Sequence, residues 1–144
     1  MSVPAEGTAS SSDKAVTTEV LAAADAIIDD FGNHRKAAYF SGFAPEASFV
    51  FHTAERRLET REEYELLWAQ WERDDGFRVH GCSSTERRVQ AFGDTAIFTH
   101  SVRSQIEFSG QVSEVEERET IAFVRRAGRW VAVHEHLSAV SQVD

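Results

Sequence analysis

Residues 118–138 read RETIAFVRRAGRWVAVHEHLS. Two apolar runs flank Ala127 and Gly128, a pattern that turns one strand back on another. Successive side chains of a strand point to opposite faces. His134 and His136 therefore share one face, and Glu135 occupies the other. A three-residue loop, with Gly128 in the left-handed conformation, pairs Arg125 with Arg129. In that register Ile121, Phe123, Val131, Val133 and Leu137 form an aliphatic face, on which Glu119 directly opposes Glu135. Arg118, Thr120, Trp130, His134, His136 and Ser138 form the other face. A two-residue loop would shift the pairing by one and mix the two sets. The three-residue loop is preferred because it separates the chemistry cleanly.

The ribbon ends a longer meander. The stretch FRVHGCSSTERRVQAF meets TAIFTHSVRSQIEF across Gly93-Asp94, a two-residue hairpin signal, and Ser109-Gly110-Gln111 marks the next turn. Helical periodicity precedes it. Val20, Leu21, Ala24, Ile27, Ile28 and Phe31 recur at spacings of three and four, and a short second helix follows in HRKAAYFSGF. ASFVFH reads as a first strand. Thr60 with Glu63 forms a capping box, and Tyr64, Leu67, Trp68 and Trp71 make an aromatic stripe ended by Asp75-Gly76. Helices followed by long antiparallel strands give an α+β fold, with the helices packed on one face of a curved sheet. Residues 1–16 are small and polar and read as a mobile tail; residues 17–144 form the single domain.

Composition narrows the functional classes. The chain has 144 residues and a formal net charge of -9. That balance argues against nucleic acid and against an anionic membrane surface, because both require a basic footprint. No apolar run reaches the roughly 20 residues of a membrane span. The start of the chain lacks the pattern of a secretory signal, which places the protein in the cytoplasm. Cys82 stands alone, so neither a disulfide framework nor a thiolate cluster is expected. His134-x-His136 could supply two metal ligands, with His100 or His52 as a third, but nothing in the spacing demands it, and no metal is assigned.

The two faces of the ribbon carry the chemistry. Paired glutamates on an apolar wall repel each other and lose hydration, so at least one holds its proton unusually tightly and can act as an acid or base. In the preceding strand His100 and Arg103 fall on opposite faces. His100 shares its face with Phe98, Val102 and Ile106 and is a candidate proton carrier; Arg103 is a candidate for binding a ligand carboxylate. The uncovered face, with Trp130, His134 and His136, suits a contact between two subunits.

The three helices, the PEASFVF strand, the capped TREEYELLWAQW helix and the meander resemble the nuclear transport factor 2-like superfamily. The closing hairpin, with Arg118, Thr120, Gly128, Trp130, Val133, His134, His136 and Ser138, is similar to that of SnoaL-like domains and of the calcium/calmodulin-dependent kinase II association domain. The resemblance implies a strongly curved, mixed and mostly antiparallel sheet (the cystatin-like fold) forming a cone with a pocket. It implies homodimers. It also implies either cofactor-free acid–base catalysis of the isomerase, cyclase or dehydratase type, or a non-catalytic ligand-binding or oligomerisation module. On the first reading Glu135 is the base, Glu119 sets its proton affinity and His100 donates to a developing oxyanion. Tyr39, Phe51, Tyr64 and Trp68 then enclose a small, largely apolar substrate. The tyrosine-plus-aspartate arrangement of the steroid isomerases is missing, and Ile121 and Leu137 stand where the kinase domain carries an arginine-rich pocket.

Overall fold

The computed structural model describes residues 11–140. Its elements run α1 (Ser11–Gly32), α2 (Lys36–Ser41), β1 (Phe43–Phe51), α3 (Arg61–Asp75), β2 (Arg78–Phe92), β3 (Thr95–Phe108), β4 (Gln111–Arg126) and β5 (Arg129–Ala139). The helix α1 begins inside the stretch read as a tail. Residues 11–16 belong to its first turns, and residues 1–10 lie outside the described residues.

The sheet has five strands in the order β1-β5-β4-β3-β2 and is not closed. Strands β2 to β5 pair antiparallel, while β1 pairs parallel to β5, so the sheet is mixed as expected. Register shifts interrupt β1 between Phe43 and Ser48, β2 at two places, and the β4–β5 pair after Ala122. Each extra residue bends its strand and increases the local twist. These bends wrap the sheet around the helices.

Local chemistry sets the helix that faces the sheet. At the start of α3 the Glu63 N–H donates to Thr60 Oγ1 at 3.2 Å. Glu63 reaches back to the Glu59 N–H, at 3.2 Å, rather than to that of Thr60. Gly76 ends the helix at φ +61°, a conformation that costs glycine little. Between these caps the aromatic stripe turns inward. Trp68 is fully buried and Tyr64 nearly so, among Phe40, Phe43, Phe49 and Phe77. Burying each such ring contributes roughly 1.5–3 kcal/mol.

The last hairpin turns on two residues, not three. Ala127 (φ +52°) and Gly128 (φ +76°) both adopt left-handed conformations, and Arg126 pairs with Arg129. Such a turn follows the twist of its flanking strands. Phe123 therefore pairs with Ala132, and Trp130 and Ala132 point inward. A register shift at Val133 then restores the original face set, so that Ala122 pairs with His134 and Ile121 with Glu135. The two one-residue steps add to an offset of two, which changes every partner but returns each side chain beyond Val133 to its expected face. Glu119 and Glu135 keep their common inner face, although Glu119 now opposes Leu137 rather than Glu135.

Candidate functional site

Between the helices and the concave face of the sheet lies a cavity of about 240 Å³. The apolar part of its wall comes from Ile27, Ile28 and Phe31 of α1, Trp71 of α3, Phe77, and Val102 and Ile106 of β3. Tyr39, Phe51 and Tyr64 also line it. Its acids come from one side: Glu117 and Glu119 from β4 and Glu135 from β5. Alternation along β4 carries Glu117, Glu119, Ile121 and Phe123 to the same face. The period of two thus carries the acids into the cavity wall and Ile121 and Phe123 into the core beside it.

A continuous line of hydrogen bonds crosses this floor. Ser84 Oγ lies 2.6 Å from His100 Nδ1, and His100 Nε2 lies 2.6 Å from Glu119 Oε1. Glu119 shares a hydrogen bond with Glu135. Tyr39 Oη donates to Glu135 Oε1 at 3.4 Å and lies 3.0 Å from Tyr64 Oη. Every member except half-buried Ser84 has little exposure; the His100 side chain has none and that of Glu119 only 10%.

Burial and neighbours push the two carboxyls apart. Burial, the charge of Glu119 and the bond between the two carboxyls hold Glu135 well above the ordinary carboxylate range. Burial also opposes the charge on Glu119, but hydrogen bonds from Glu135 and His100 outweigh it and keep Glu119 below its ordinary value. The opposite shifts make Glu135 the member that holds a proton more tightly and Glu119 the member that ionises more readily, and an ionised Glu119 accepts from His100 Nε2–H. Burial first, and then the charge of Glu135, raises both tyrosines well above their ordinary value, so both are neutral donors. At the rim Glu117 meets His52 Nε2 at 2.6 Å, and burial raises its proton affinity despite that partner. Burial also raises the Cys82 thiol to about 11, which makes it inert.

Several expected site residues lie elsewhere. Arg103 points to the outer face and is half-exposed, paired with Glu116 and, at 3.6 Å, with Glu114. It cannot reach a ligand in the cone. Trp68 is sealed in the aromatic core and does not reach the cavity wall. Trp130 is no interface residue: the two-residue turn sends it inward, where its Nε1 donates to Glu19 of α1 at 3.0 Å. His100 spends both ring nitrogens on Ser84 and Glu119 and does not line the cavity, so it supports Glu119 instead of meeting an oxyanion. His134 and His136 stay on the outer face, their rings 6.4 Å apart, and His134 Nδ1 lies 2.8 Å from Ser48 Oγ. Sequence reasoning left Glu117, His52, Ser84 and Phe31 out of the site. Glu117 was within reach, since it shares the two-residue period of Glu119. Ser84 was not, because the register shifts in β2 break its periodicity.

The SnoaL-like domain family model matches residues 20–142. The chain belongs to the SnoaL-like domain family. No curated protein matches it significantly. Solved structures with similar folds include a nuclear transport factor 2-like protein from Cytophaga hutchinsonii, at 10% identity and a TM-score of 0.74, covering 86% of this chain and 98% of that one. A ketosteroid isomerase-like protein from Erwinia carotovora atroseptica has 17% identity and a TM-score of 0.72, covering 87% and 96%. The association domain of C. elegans CaMKII has 18% identity and a TM-score of 0.70, covering 90% and 100%. At these identities the likeness establishes the nuclear transport factor 2-like fold. The SnoaL-like frame positions the acid pair but leaves its chemistry to these particular residues. Among the described residues no helix is long and apolar enough to cross a membrane, and no group of three or more His, Cys, Asp or Glu could hold a metal ion.

Proposed function

We propose that the cone binds a small, largely apolar molecule and that Glu119 and Glu135 perform acid–base chemistry on it without a cofactor, in the manner of an isomerase, cyclase or dehydratase. The observation that carries this reading is the pair itself: two buried carboxyls side by side on the wall of an aromatic cavity, one pushed above the ordinary carboxylate range and the other held below it. Environments that push two carboxyls apart favour one as acid and the other as base. The roles are the reverse of those the sequence suggested. For an unsaturated ketone, Glu119 takes the proton from the carbon beside the carbonyl. The C–H electron pair moves into the carbon–oxygen framework, and Glu135 donates to the oxygen as charge develops there. Return of the proton at the far carbon of the alkene completes an isomerisation and restores both carboxyls.

The test uses a small β,γ-unsaturated cyclic ketone, with the absorbance of the conjugated product as readout. Glu119→Gln should lower kcat by at least about a hundredfold, within the usual contribution of a general base. Glu135→Gln keeps a donor and should retain more activity than Glu119→Gln. Equal rates for the wild type and both variants would refute the mechanism.

A second reading, assembly, is favoured by the outer face of β1 and β5. There Ser48, Val50, His134 and His136 leave a sheet surface uncovered by any helix. On this reading the chain forms a homodimer through that face. Light scattering on the wild type and a His134→Glu/His136→Glu variant tests it; an unchanged mass rules the face out.

A further inference from the structure

The charge of the cavity narrows the ligand further, given that the cone is a small-molecule site. We infer that the ligand is an organic amine, bound as its ammonium ion against Glu117, Glu119 and Glu135. Every element around the cavity supports this. Strand β4 contributes Glu117 and Glu119, and β5 contributes Glu135. Tyr39 of α2 and Tyr64 of α3 offer neutral hydroxyls; Cys82 of β2 and Ser104 of β3 are neutral; and α1 presents only Ile27, Ile28 and Phe31. Among the described residues, His52 at the rim, already engaged by Glu117, is the only basic side chain on the wall, and no Lys or Arg lines it. His100 stands behind Glu119.

Acceptors therefore outnumber donors. Three carboxyls offer six oxygens, each able to accept two hydrogen bonds, while His52, His100, the hydroxyls of Tyr39, Tyr64 and Thr53 and the proton between Glu119 and Glu135 supply fewer hydrogens. A ligand with N–H groups corrects that imbalance. Phe31, Trp71 and Phe77 also line the cavity, and the faces of aromatic rings carry a negative quadrupole that attracts a cation. A carboxylate ligand would meet three acids in a medium that screens charge poorly. The volume of about 240 Å³ lies just below the roughly 300 Å³ at which drug-sized pockets begin, which fits one ring and a short substituent.

Glu135 keeps its proton because it is buried beside another carboxylate. An ammonium ion placed there weakens that reason but leaves Glu135 buried, so binding expels a fraction of a proton and leaves the rest on Glu135. Titration calorimetry on the whole protein, with benzylamine, benzyl alcohol and benzoate in two buffers of different ionisation enthalpy at neutral pH, reads both effects. Benzylamine should bind at least tenfold tighter than benzyl alcohol and release a fraction of a proton; the alcohol should release none, and benzoate should not bind. Leu137→Trp, which fills the cavity, should abolish binding, and Glu119→Gln should erase the preference for amine over alcohol. Alcohol or benzoate binding as tightly as amine, or amine binding without proton release, overturns the inference and leaves the cavity as a site. Failure of all three probes to bind overturns the inference, and turnover of the unsaturated ketone then decides the proposed function separately.

Discussion

Glu119 and Glu135 sit diagonally across the β4–β5 ribbon, each opposite an apolar partner, Leu137 and Ile121 respectively, and bonded to each other. Directly opposed carboxylates would have crowded one point of the sheet. The diagonal offset leaves room for a single shared proton, with His100 supporting the ionised member and Tyr39 the protonated one.

Glu135 makes stability depend on pH. Its folded-state value is raised, so above the ordinary carboxylate range the folded chain binds a proton that the unfolded chain has lost. Stability therefore falls as pH rises toward that folded value, by up to about 1.4 kcal/mol per pH unit. Glu135→Gln removes this slope. Relative to the wild type, it should gain stability progressively as pH rises above about 5, as read by urea unfolding at a series of pH values.

His100 has the opposite signature through Glu119, whose value is depressed. The stability from that pairing is present above the ordinary carboxylate value and is lost as pH falls through the folded one. His100→Phe leaves a buried carboxylate without its donor and should cost about 3–5 kcal/mol at neutral pH. The deficit should shrink below about pH 4, where Glu119 accepts a proton. A deficit independent of pH would mean that His100 only fills space.

Trp130 now has a testable place under α1. Trp130→Phe loses the bond to Glu19 and should cost about 0.5–1.5 kcal/mol, whereas Trp130→Ala should cost about 3–5 kcal/mol. Neither should change the oligomeric mass, because the ring does not reach the outer face; sedimentation velocity checks this.

Cys82, raised to about 11, should alkylate roughly a hundredfold more slowly than an ordinary thiol at the same pH, and at the ordinary rate once unfolded. Mass spectrometry after timed iodoacetamide treatment, with and without urea, provides the measurement.

Much of this molecule is local, and the sequence settled those parts. The capping pair Thr60 and Glu63, the glycine turns at Gly93, Gly110 and Gly128, and the two-residue period of β3 and β4 need only near neighbours to act. They sufficed for the elements and the α+β class; the shared face of Glu119 and Glu135 was read from a three-residue turn and survives only because the shorter turn and the extra residue at Val133 together shift the pairing by two. Tertiary structure decided the rest. The length of the last turn and the extra residue at Val133 depend on how far the sheet must bend around the helices, and no short window of sequence carries that curvature. The position of Trp130 follows from that choice, as does the outward aim of Arg103 from the side of β3 that the helices cover. Which carboxyl keeps the proton depends on desolvation and on His100 and Tyr39 arriving from distant segments, and those forces exist only once the cone has closed around them.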